Sequence, residues 1–403
     1  MAQHRRQRSD ATTQESSQVV VLRAANPWDG TKFQDRHLAE RLAGRGVSVL
    51  YVDPPMSHLT ARRDPARAAV LAEPRLRALG PGLTRLTPVV LPCPRRTAMG
   101  RVTSRLLAKL VDRALSAGGV TADVVIDSDP LAPILGRLPA RLQVYWAQDD
   151  FAGGAALLGQ SAHRLQHGDA RLASRADVVI ASSPVVNDRL HEQGYSPQFI
   201  PFGCDSRLFA SVDQAPPAQD VHLTGPVVGF VGHLADRIDL RLLEAVAERG
   251  RSLLLIGPVH PRFDIARLRP LLARPNVQWV GARPFDALPS YLRHVDVGVV
   301  PYADSAFNRG SFPLKTLEYL AAGRAVVATA LPSTQWLATD LIRLENEPTA
   351  FADAVDAALR QVRSTDLVAA RRSFAAQHDW ECRTEQFVRV LGLRMRERAA
   401  EPG

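Results

Sequence analysis

The feature that most constrains this chain is a repeated alternation between short apolar runs and segments with helical spacing. The first half has six such runs, rich in Val, Ile and aromatic residues, at 18–22, 47–53, 122–128, 143–147, 176–182 and 198–201. Between the first two, residues 31–45 place apolar side chains on one helical face. Strand, helix and strand in that order form a right-handed parallel unit, so the alternation predicts an α/β protein with a doubly wound parallel sheet.

The same alternation starts again after a break. Residues 206–224 contain two adjacent prolines and mixed polar residues, and strand-like runs follow at 227–232, 252–257, 277–281, 297–302 and 325–329. A chain of 403 residues is also too long for one ordinary core. We therefore predict two similar domains, 18–205 and 225–375, joined by a linker at 206–224 and followed by a final helix and tail at 376–403. The polar segment 1–17 is expected to be a disordered tail.

Charge and apolar pattern narrow the class of protein. The first 205 residues contain 26 of the 50 Lys and Arg and 19 of the 41 Asp and Glu, so they carry +7 of the net charge of +9. No apolar run of membrane-spanning length and no secretory signal is present, and the three cysteines lie far apart, which predicts a cytoplasmic location. The basic excess suits phosphates or an anionic membrane surface, or it reflects an arginine-rich composition without a partner. Nucleic acid is disfavoured, since no known module occurs and aromatic residues do not interleave with the basic ones.

Two segments of the second half have the residues to hold a diphosphate. In GFVGHLADRID, Gly232 lets the backbone approach a ligand, a helix start offers free N–H groups, and Arg237 adds a charged contact. In SFPLKTLEYLAAG, Lys315 and Glu318 are i,i+3 neighbours at the start of a helix, for which Ser305 or Ser311 is the expected cap.

The position of Lys315 indicates an anion, because a lysine in the first turn opposes the helix dipole unless a negative group lies there. Lys315 would then bind phosphate, and the Glu318 carboxylate would accept hydrogen bonds from two ribose hydroxyls. The alternatives are an ordinary strand-to-helix turn at Gly232 and a surface ion pair between Lys315 and Glu318.

Longer stretches carry a family resemblance. NVQWVGARPFDALPSYLRHVDVGVVPY, followed by FPLKTLEYLAAGRAVVAT, resembles the donor-binding domain of GT-B glycosyltransferases of family 4. LASRADVVIASSPVVNDRL and FIPFGCDSRLF resemble the end of the same family's acceptor domain. The resemblance implies two Rossmann-like domains facing across a cleft, with a C-terminal helix that crosses back to the first domain. It also implies transfer of a sugar from a nucleoside-diphosphate sugar to a glycan, glycolipid or small-molecule acceptor, usually with retention of configuration, in surface polysaccharide or glycolipid biosynthesis.

The resemblance also assigns residues of the second domain. Glu318 matches the second glutamate of the family's E-x7-E motif, the ribose contact, whereas the first glutamate falls on Gly310 and is absent. Backbone N–H groups near Ser311 and Phe312 remain for the donor sugar. His233 stands where the family has an arginine after its glycine. Arg237 is the better match to the downstream lysine, with Lys315 as the second charge.

In the first domain, the resemblance points to two places. Gly30 lies in the region of a glycine-rich loop and would approach a donor phosphate, while Asp149 and Asp150 lie near the position of a family histidine. Either aspartate would bind a hydroxyl or accept a proton from the acceptor, or else cap a helix. Asp29 and Lys32 are candidate acceptor contacts, with capping and solvation as their alternatives.

The implied reaction displaces a nucleoside diphosphate, whose growing charge Arg237, Lys315 and helix N-termini would stabilise. No cofactor and no metal ion is therefore expected. The sequence DSD at 127–129 has the form of a cation motif from the other major glycosyltransferase fold, but it sits in the wrong domain, and we interpret it as coincidence.

A basic stripe in the first domain suggests a further partner. Four cationic side chains recur every four residues of the predicted helix 98–118: Arg101, Arg105, Lys109 and Arg113. They suit anionic lipid headgroups and would make the protein peripheral at the inner face of the membrane, or they form a solvated face. Two other functions also fit the scaffold. One is a nucleotide-sugar epimerase, and the other is a non-catalytic partner that binds nucleotide-sugar.

Overall fold

The computed structural model describes residues 18–57, 59, 65–91, 97–361 and 364–394. The predicted tail at 1–17, Cys93 and the last part of the segment 376–403 lie outside these residues. The described chain forms two sheets with helices on their faces. None of the helices described has the length and hydropathy that a membrane span needs.

The first sheet has eight strands in the order β3-β4-β2-β1-β5-β6-β7-β8. Their bounds are β1 Val19–Arg23, β2 Ser48–Val52, β3 Leu76–Gly80, β4 Leu83–Leu86, β5 Val124–Asp127, β6 Leu142–Ala147, β7 Val178–Ala181 and β8 Gln198–Phe199. β1 is central and parallel to both neighbours, with Val21 opposite Leu50 and Val125. All five residues of β1 are buried, as expected for a strand covered on both faces.

The second sheet has six parallel strands in the order β11-β10-β9-β12-β13-β14. Their bounds are β9 Val227–Val231, β10 Ser252–Ile256, β11 Val277–Trp279, β12 Val297–Val300, β13 Ala325–Ala328 and β14 Ile342–Leu344. The five predicted runs of this half correspond to β9 to β13. The short strand β14 was not predicted.

Helices connect most of these strands. In the first half they are Gln34–Ala43, Pro65–Ala72, Thr97–Ala117, Ala155–Leu158, Ala162–Ala173, Pro184–Glu192 and Ser206–Ala210. In the second half they are Leu240–Glu248, Arg269–Leu272, Leu288–Leu292, Ala306–Gly310, Leu314–Ala321, Pro332–Trp336, Pro348–Arg360, Thr365–Gln377 and Trp380–Leu391. Three short 3₁₀ helices are Ser211–Asp213, Ile265–Leu268 and Phe285–Ala287.

One edge of the first sheet departs from the parallel arrangement. β3 is antiparallel to β4, and the two are joined by a tight turn at Pro81 and Gly82. The expectation of a purely parallel sheet is therefore wrong at this edge. Two strands this close in sequence can only pair as a hairpin, because a parallel connection needs a dozen or more residues.

The segment 206–224 is packed on the second half. Phe209 is fully buried, and Arg324 donates to Asp213 at 2.8 Å. This segment is therefore attached to the protein along part of its length rather than extended and free.

The last described helix returns to the first half, as predicted. Trp380, at its start, stacks on His37 with ring centroids 5.3 Å apart, and Phe387 lies edge-on to Trp146. Nη2 of Arg141 donates to the carbonyl of Leu391 at 2.8 Å. These contacts join helix Trp380–Leu391 to the first sheet through both apolar and polar groups.

Candidate functional site

The two sheets face each other across a cleft that side chains of both halves close. Oγ of Ser183 donates to the carbonyl of Gly310 at 2.6 Å, and both groups are buried. On another side, Phe33 stacks on His233 with ring centroids 6.3 Å apart. The cleft therefore lies between the loops that follow the carboxyl ends of the strands, which is where ligands bind in open α/β sheets.

Positive charge gathers on the second side of this cleft. His233 follows β9 and is partly buried, and burial lowers its pKa, helped by His260, Arg237 and Lys315. Because these three cationic or basic groups all act on His233, each of them lies near its ring. The sequence prediction placed Arg237 and Lys315 on one diphosphate, and the fold does bring them to one region.

Arg237 is held by aromatic and amide groups. Its guanidinium lies 4.2 Å from the ring centroid of Tyr302 and 5.3 Å from that of Phe307. Its Nε donates to Oδ1 of Asn308 at 3.2 Å. Within the described part of the chain, Arg237 has no carboxylate within 4 Å. The guanidinium is thus oriented, and its charge remains available to an anion.

Lys315 and Glu318 lie on the helix Leu314–Ala321. Nζ of Lys315 is 2.6 Å from Oε2 of Glu318, so the two residues form the ion pair that we weighed as an alternative. It is not a surface pair, because the Glu318 side chain is only 3% exposed. Burial raises the pKa of Glu318, and the charge of Lys315 opposes that rise.

The expected cap of this helix is wrong. Ser305 caps a separate short helix, Ala306–Gly310, by accepting from the N–H of Asn308, and Ser311 donates instead to the carbonyl of Phe307. The helix Leu314–Ala321 has Pro313 at its N-cap and no side-chain cap. Two of its first N–H groups are already engaged, since that of Leu314 donates to the carbonyl of Phe312 at 2.9 Å and that of Thr316 to the carbonyl of Pro313 at 3.0 Å. An anion at this helix start would therefore use the N–H of Lys315 together with its side chain.

Asp149, after the end of β6, faces this charge from the first half. The charge of Arg237 and a hydrogen bond with the side chain of Ser311 stabilise the ionised form of Asp149 and so lower its pKa. Burial outweighs both and raises the pKa of Asp149 to about 6. Asp149 is therefore a carboxyl group that titrates close to neutral pH inside the cleft.

Asp150 has a different environment. Its Oδ1 accepts from the N–H of Gly153 at 3.1 Å, which is a capping contact of the kind we considered for the pair. A Cβ added to Gly310 would lie 2.5 Å from the Cβ of Asp150. The place where the family carries its first glutamate is thus occupied by an aspartate from the opposite side of the cleft.

The remaining candidates of the second half offer backbone rather than side chains. Gly232 closes β9 by donating to the carbonyl of Ile256 at 2.9 Å. The Phe312 ring is buried against Phe202 and Trp336, so only its backbone can serve a ligand. The carbonyl of Ser311 already accepts from Ser333.

The candidate acceptor contacts of the first half are engaged with other groups. Oδ2 of Asp29 accepts from Arg85 at 2.7 Å, while Nζ of Lys32 is 2.7 Å from Glu40. Gly30 has φ +95, and no atom lies within 4 Å of an added Cβ. This loop therefore has open space beside it for a ligand.

The DSD sequence has a structural role in the fold. Asp127 accepts from the N–H groups of Ile134 and Asp129, and Asp129 pairs with the buried Arg23 at 2.6 Å. Among the described residues, no group of three His, Cys, Asp or Glu is placed to hold a metal ion together.

Sequence reasoning missed a polar cluster beneath the cleft. The buried Asp35 accepts from Nδ2 of Asn26 at 2.9 Å and from Nε2 of Gln148 at 2.6 Å. Burial raises the pKa of Asp35, whose charge also acts on Asp149. The sequence feature that could have indicated this cluster is the pair Gln34–Asp35 at the start of the helix that follows β1. In the fold this pair lies against Gln148, which follows β6 directly.

Comparisons with known proteins agree with this geometry. Residues 225–361 match the family described as Glycosyl transferases group 1. The chain is 29% identical over 280 residues to TuaH of Bacillus subtilis, which is named as a glycosyltransferase of teichuronic acid biosynthesis. The aligned region covers 66% of this chain and 70% of that protein. Residues 225–361 are thus a domain of the group 1 glycosyltransferase type. The chain is a glycosyltransferase.

Solved structures show the fold of this glycosyltransferase. Sucrose-phosphate synthase from Thermosynechococcus elongatus superposes with a TM-score of 0.73 at 18% identity, covering 93% of this chain and 98% of that one. Anabaena HepE superposes with a TM-score of 0.66 at 16% identity, covering 93% and 99%. The two sheets and the returning helix are the GT-B fold, as the sequence resemblance implied.

Proposed function

We propose that this glycosyltransferase takes a nucleoside-diphosphate sugar on its second domain and passes the sugar to an acceptor held against the first. The observation that carries the proposal is the convergence of Arg237 and Lys315 around His233, with the buried Glu318 one turn further along the helix. Two cations and a helix start suit a diphosphate, and a buried carboxylate suits the two hydroxyls of a ribose. Anabaena HepE has been solved with UDP and with UDP-glucose, which supports a donor of this class.

Binding of the diphosphate would change the partner of Lys315. Its ammonium group forms an ion pair with the Glu318 carboxylate. When a diphosphate approaches, Lys315 can turn toward it while the ribose hydroxyls donate to the Glu318 carboxylate. Glu318 thus exchanges its ion pair for charge-assisted hydrogen bonds from two hydroxyl groups, and the charge of Lys315 becomes available to the leaving group.

Departure of the nucleoside diphosphate puts negative charge on its phosphoryl oxygens. Arg237 is already oriented by Asn308 and Tyr302, so it can stabilise that charge with little reorganisation. We propose that these protein cations and helix N–H groups suffice, with neither cofactor nor metal ion, and that configuration at the anomeric carbon is retained.

Asp149 is the group that we place toward the acceptor. Its carboxylate faces the cleft from the first domain, and a pKa of about 6 lets it accept a proton from an attacking hydroxyl near neutral pH. Asp150, packed on Gly310, supports the same wall of the cleft. Together they replace the carboxylate that the family motif would place on residue 310.

The acceptor class follows from the relatives and the surface charge. TuaH is named for teichuronic acid biosynthesis, which supports an acceptor in surface polysaccharide or glycolipid synthesis. The stripe Arg101, Arg105, Lys109 and Arg113 lies on the helix Thr97–Ala117. We propose that it brings the enzyme to the inner face of an anionic membrane from the cytoplasm.

A coupled assay tests the transfer directly. The purified protein is incubated with a panel of nucleoside-diphosphate sugars, with and without membrane-derived glycolipid, and release of the nucleoside diphosphate is measured. Acceptor-dependent release that disappears in Asp149→Asn supports the proposal, and NMR of the product's anomeric proton reports retention. A protein that binds these donors but transfers no sugar to any acceptor fraction would contradict it.

A further inference from the structure

A second concentration of positive charge lies away from the cleft. A groove of about 900 Å³ on the first domain is lined by five arginines: Arg101, Arg105, Arg137, Arg171 and Arg175. His167, Ser174 and Tyr195 add polar groups to its wall. No Asp or Glu lines the groove among the residues that the structure describes. Only Arg101 and Arg105 belong to the stripe visible in the sequence. Arg137 comes from the loop before β6, and Arg171 and Arg175 come from the end of the helix Ala162–Ala173 and just beyond it.

The arginines of this groove lack the partners that usually accompany such a cluster. In the described ranges, none of the five has a carboxylate within 4 Å. Nε of Arg137 is buried without a hydrogen-bond acceptor there. Burial and then the neighbouring arginines lower the pKa of both Arg137 and Arg171. Mutual repulsion of this kind costs free energy in the free protein, and a bound anion would remove the cost.

The helix dipole explains only part of the arrangement. Arg171 lies in the last turn of the helix Ala162–Ala173, and Arg175 lies just beyond it, where a positive charge is favourable. Arg137 precedes β6 in a loop, and Arg101 and Arg105 lie on a different helix. Their approach to Arg171 and Arg175 therefore needs another reason.

The groove is separate from the donor site. Arg137 and Arg175 come shortly before β6 and β7, so they lie at the amino ends of these strands. Asp149 follows β6 and lies at the carboxyl ends. The groove therefore lies at the amino ends of the strands of the first sheet, whereas the cleft lies at their carboxyl ends. A ligand in the groove does not reach the reacting atoms.

We propose that this groove is a second binding site, for a phosphate group with at least two negative charges. Guanidinium groups bind phosphate oxygens in pairs of parallel hydrogen bonds, and several of them converging in a concave site select phosphate over a singly charged anion. The hydroxyl group of Tyr195 provides an additional donor, while that of Ser174 donates to the carbonyl of Arg171 at 3.2 Å. The phosphate belongs either to a lipid headgroup or to a soluble phosphate compound, and the experiment separates the two.

Two double variants with the same change in charge test the proposal. Arg171→Gln/Arg175→Gln removes two cations from the groove, and Arg241→Gln/Arg249→Gln removes two exposed cations from the second domain. Binding is measured to phosphatidylcholine vesicles with and without phosphatidic acid, and to inorganic pyrophosphate by calorimetry. Arg101→Gln/Arg105→Gln is a second groove variant, built on two exposed side chains, in case the first does not fold.

The groove variants are expected to lose at least about tenfold in affinity, whereas the second-domain variant stays near wild type. Loss confined to vesicles identifies a lipid headgroup, and loss of pyrophosphate binding identifies a soluble ligand. Pyrophosphate bound in the cleft is recognised by its loss in Lys315→Ala. Equal losses in the groove variants and the second-domain variant, or no binding of either probe by wild type at low salt, would overturn the proposal. Donor binding is unaffected in every one of these outcomes, so failure here leaves the proposed transfer untouched.

Discussion

Gly310 of the second domain packs on Asp150 of the first so closely that an added Cβ would lie 2.5 Å from the Cβ of Asp150. The residue that the family motif places at 310 is a glutamate, and this glycosyltransferase has no room for one with its cleft closed. Asp149 and Asp150 of the first domain are the carboxylates that we propose for the site instead.

Gly310→Ala is expected to keep both domains folded but to prevent full closure. The contact is with an atom next to the backbone of Asp150, which cannot turn aside, so the domains must separate. We expect kcat/KM to fall by at least about tenfold and small-angle scattering to show a larger radius of gyration. Gly80→Ala is the control, because no atom lies within 4 Å of an added Cβ there. An unchanged radius and activity in Gly310→Ala would show that the contact is unimportant.

The pH profile should report Asp149. Since burial raises its pKa from 3.8 to about 6, kcat/KM should fall about tenfold per pH unit below about 6, where the carboxylate becomes protonated. In Asp149→Asn the remaining activity should be low and lose this acidic limb. The folded state holds this proton more tightly than the unfolded chain, so the group also makes the protein less stable as pH rises from about 4 to about 6. A limb that persists in Asp149→Asn would assign it to another group.

Arg237→Lys tests whether charge alone is sufficient. Lysine keeps the positive charge but loses the planar guanidinium that stacks on Tyr302 and donates to Asn308. We expect kcat/KM for the donor to fall by about tenfold to a hundredfold, with the melting temperature little changed. Arg241→Lys, at an exposed ion pair with Asp239, is the control. Equal kinetics in Arg237→Lys and wild type would mean that a point charge suffices.

Trp380→Ala should destabilise the junction between the returning helix and the first domain. Trp380 is fully buried and stacks on His37, so its truncation should cost about 3–5 kcal/mol and lower the melting temperature. Trp336→Ala, at a side chain that is 40% exposed, should cost much less. Equal melting temperatures for the two variants would contradict this account.

The sequence was sufficient for the features that depend on local pattern. Strands β9 to β13 follow from short apolar runs, and the place of Arg237 in the segment after β9 follows from the sequence GFVGHLADRID. Asp149 was assigned through the family resemblance. The hairpin β3–β4 was missed because β3 is largely exposed, with Leu76 at 40%, and so lacks a buried run. The strand β14 has only three residues, too few to show a period.

Contacts between distant segments were beyond the sequence. The packing of Gly310 on Asp150 joins residues far apart in the chain and depends on how the two domains close. The arginine groove gathers side chains from two helices and two loops, of which only Arg101 and Arg105 share a visible spacing. Capping of Leu314–Ala321 was wrongly predicted because Ser305 starts a separate short helix that the local pattern does not reveal.

Binding of a nucleoside-diphosphate sugar to wild type and Glu318→Gln is the most direct measurement, made by calorimetry and thermal shift over a donor panel. Glu248→Gln, at an exposed ion pair with Arg274, is the matched control. We predict that wild type and Glu248→Gln are stabilised by at least one donor, while Glu318→Gln remains folded and loses that stabilisation. Equal stabilisation of all three proteins, or of none of them by any donor, would contradict the placement of the nucleotide on this helix.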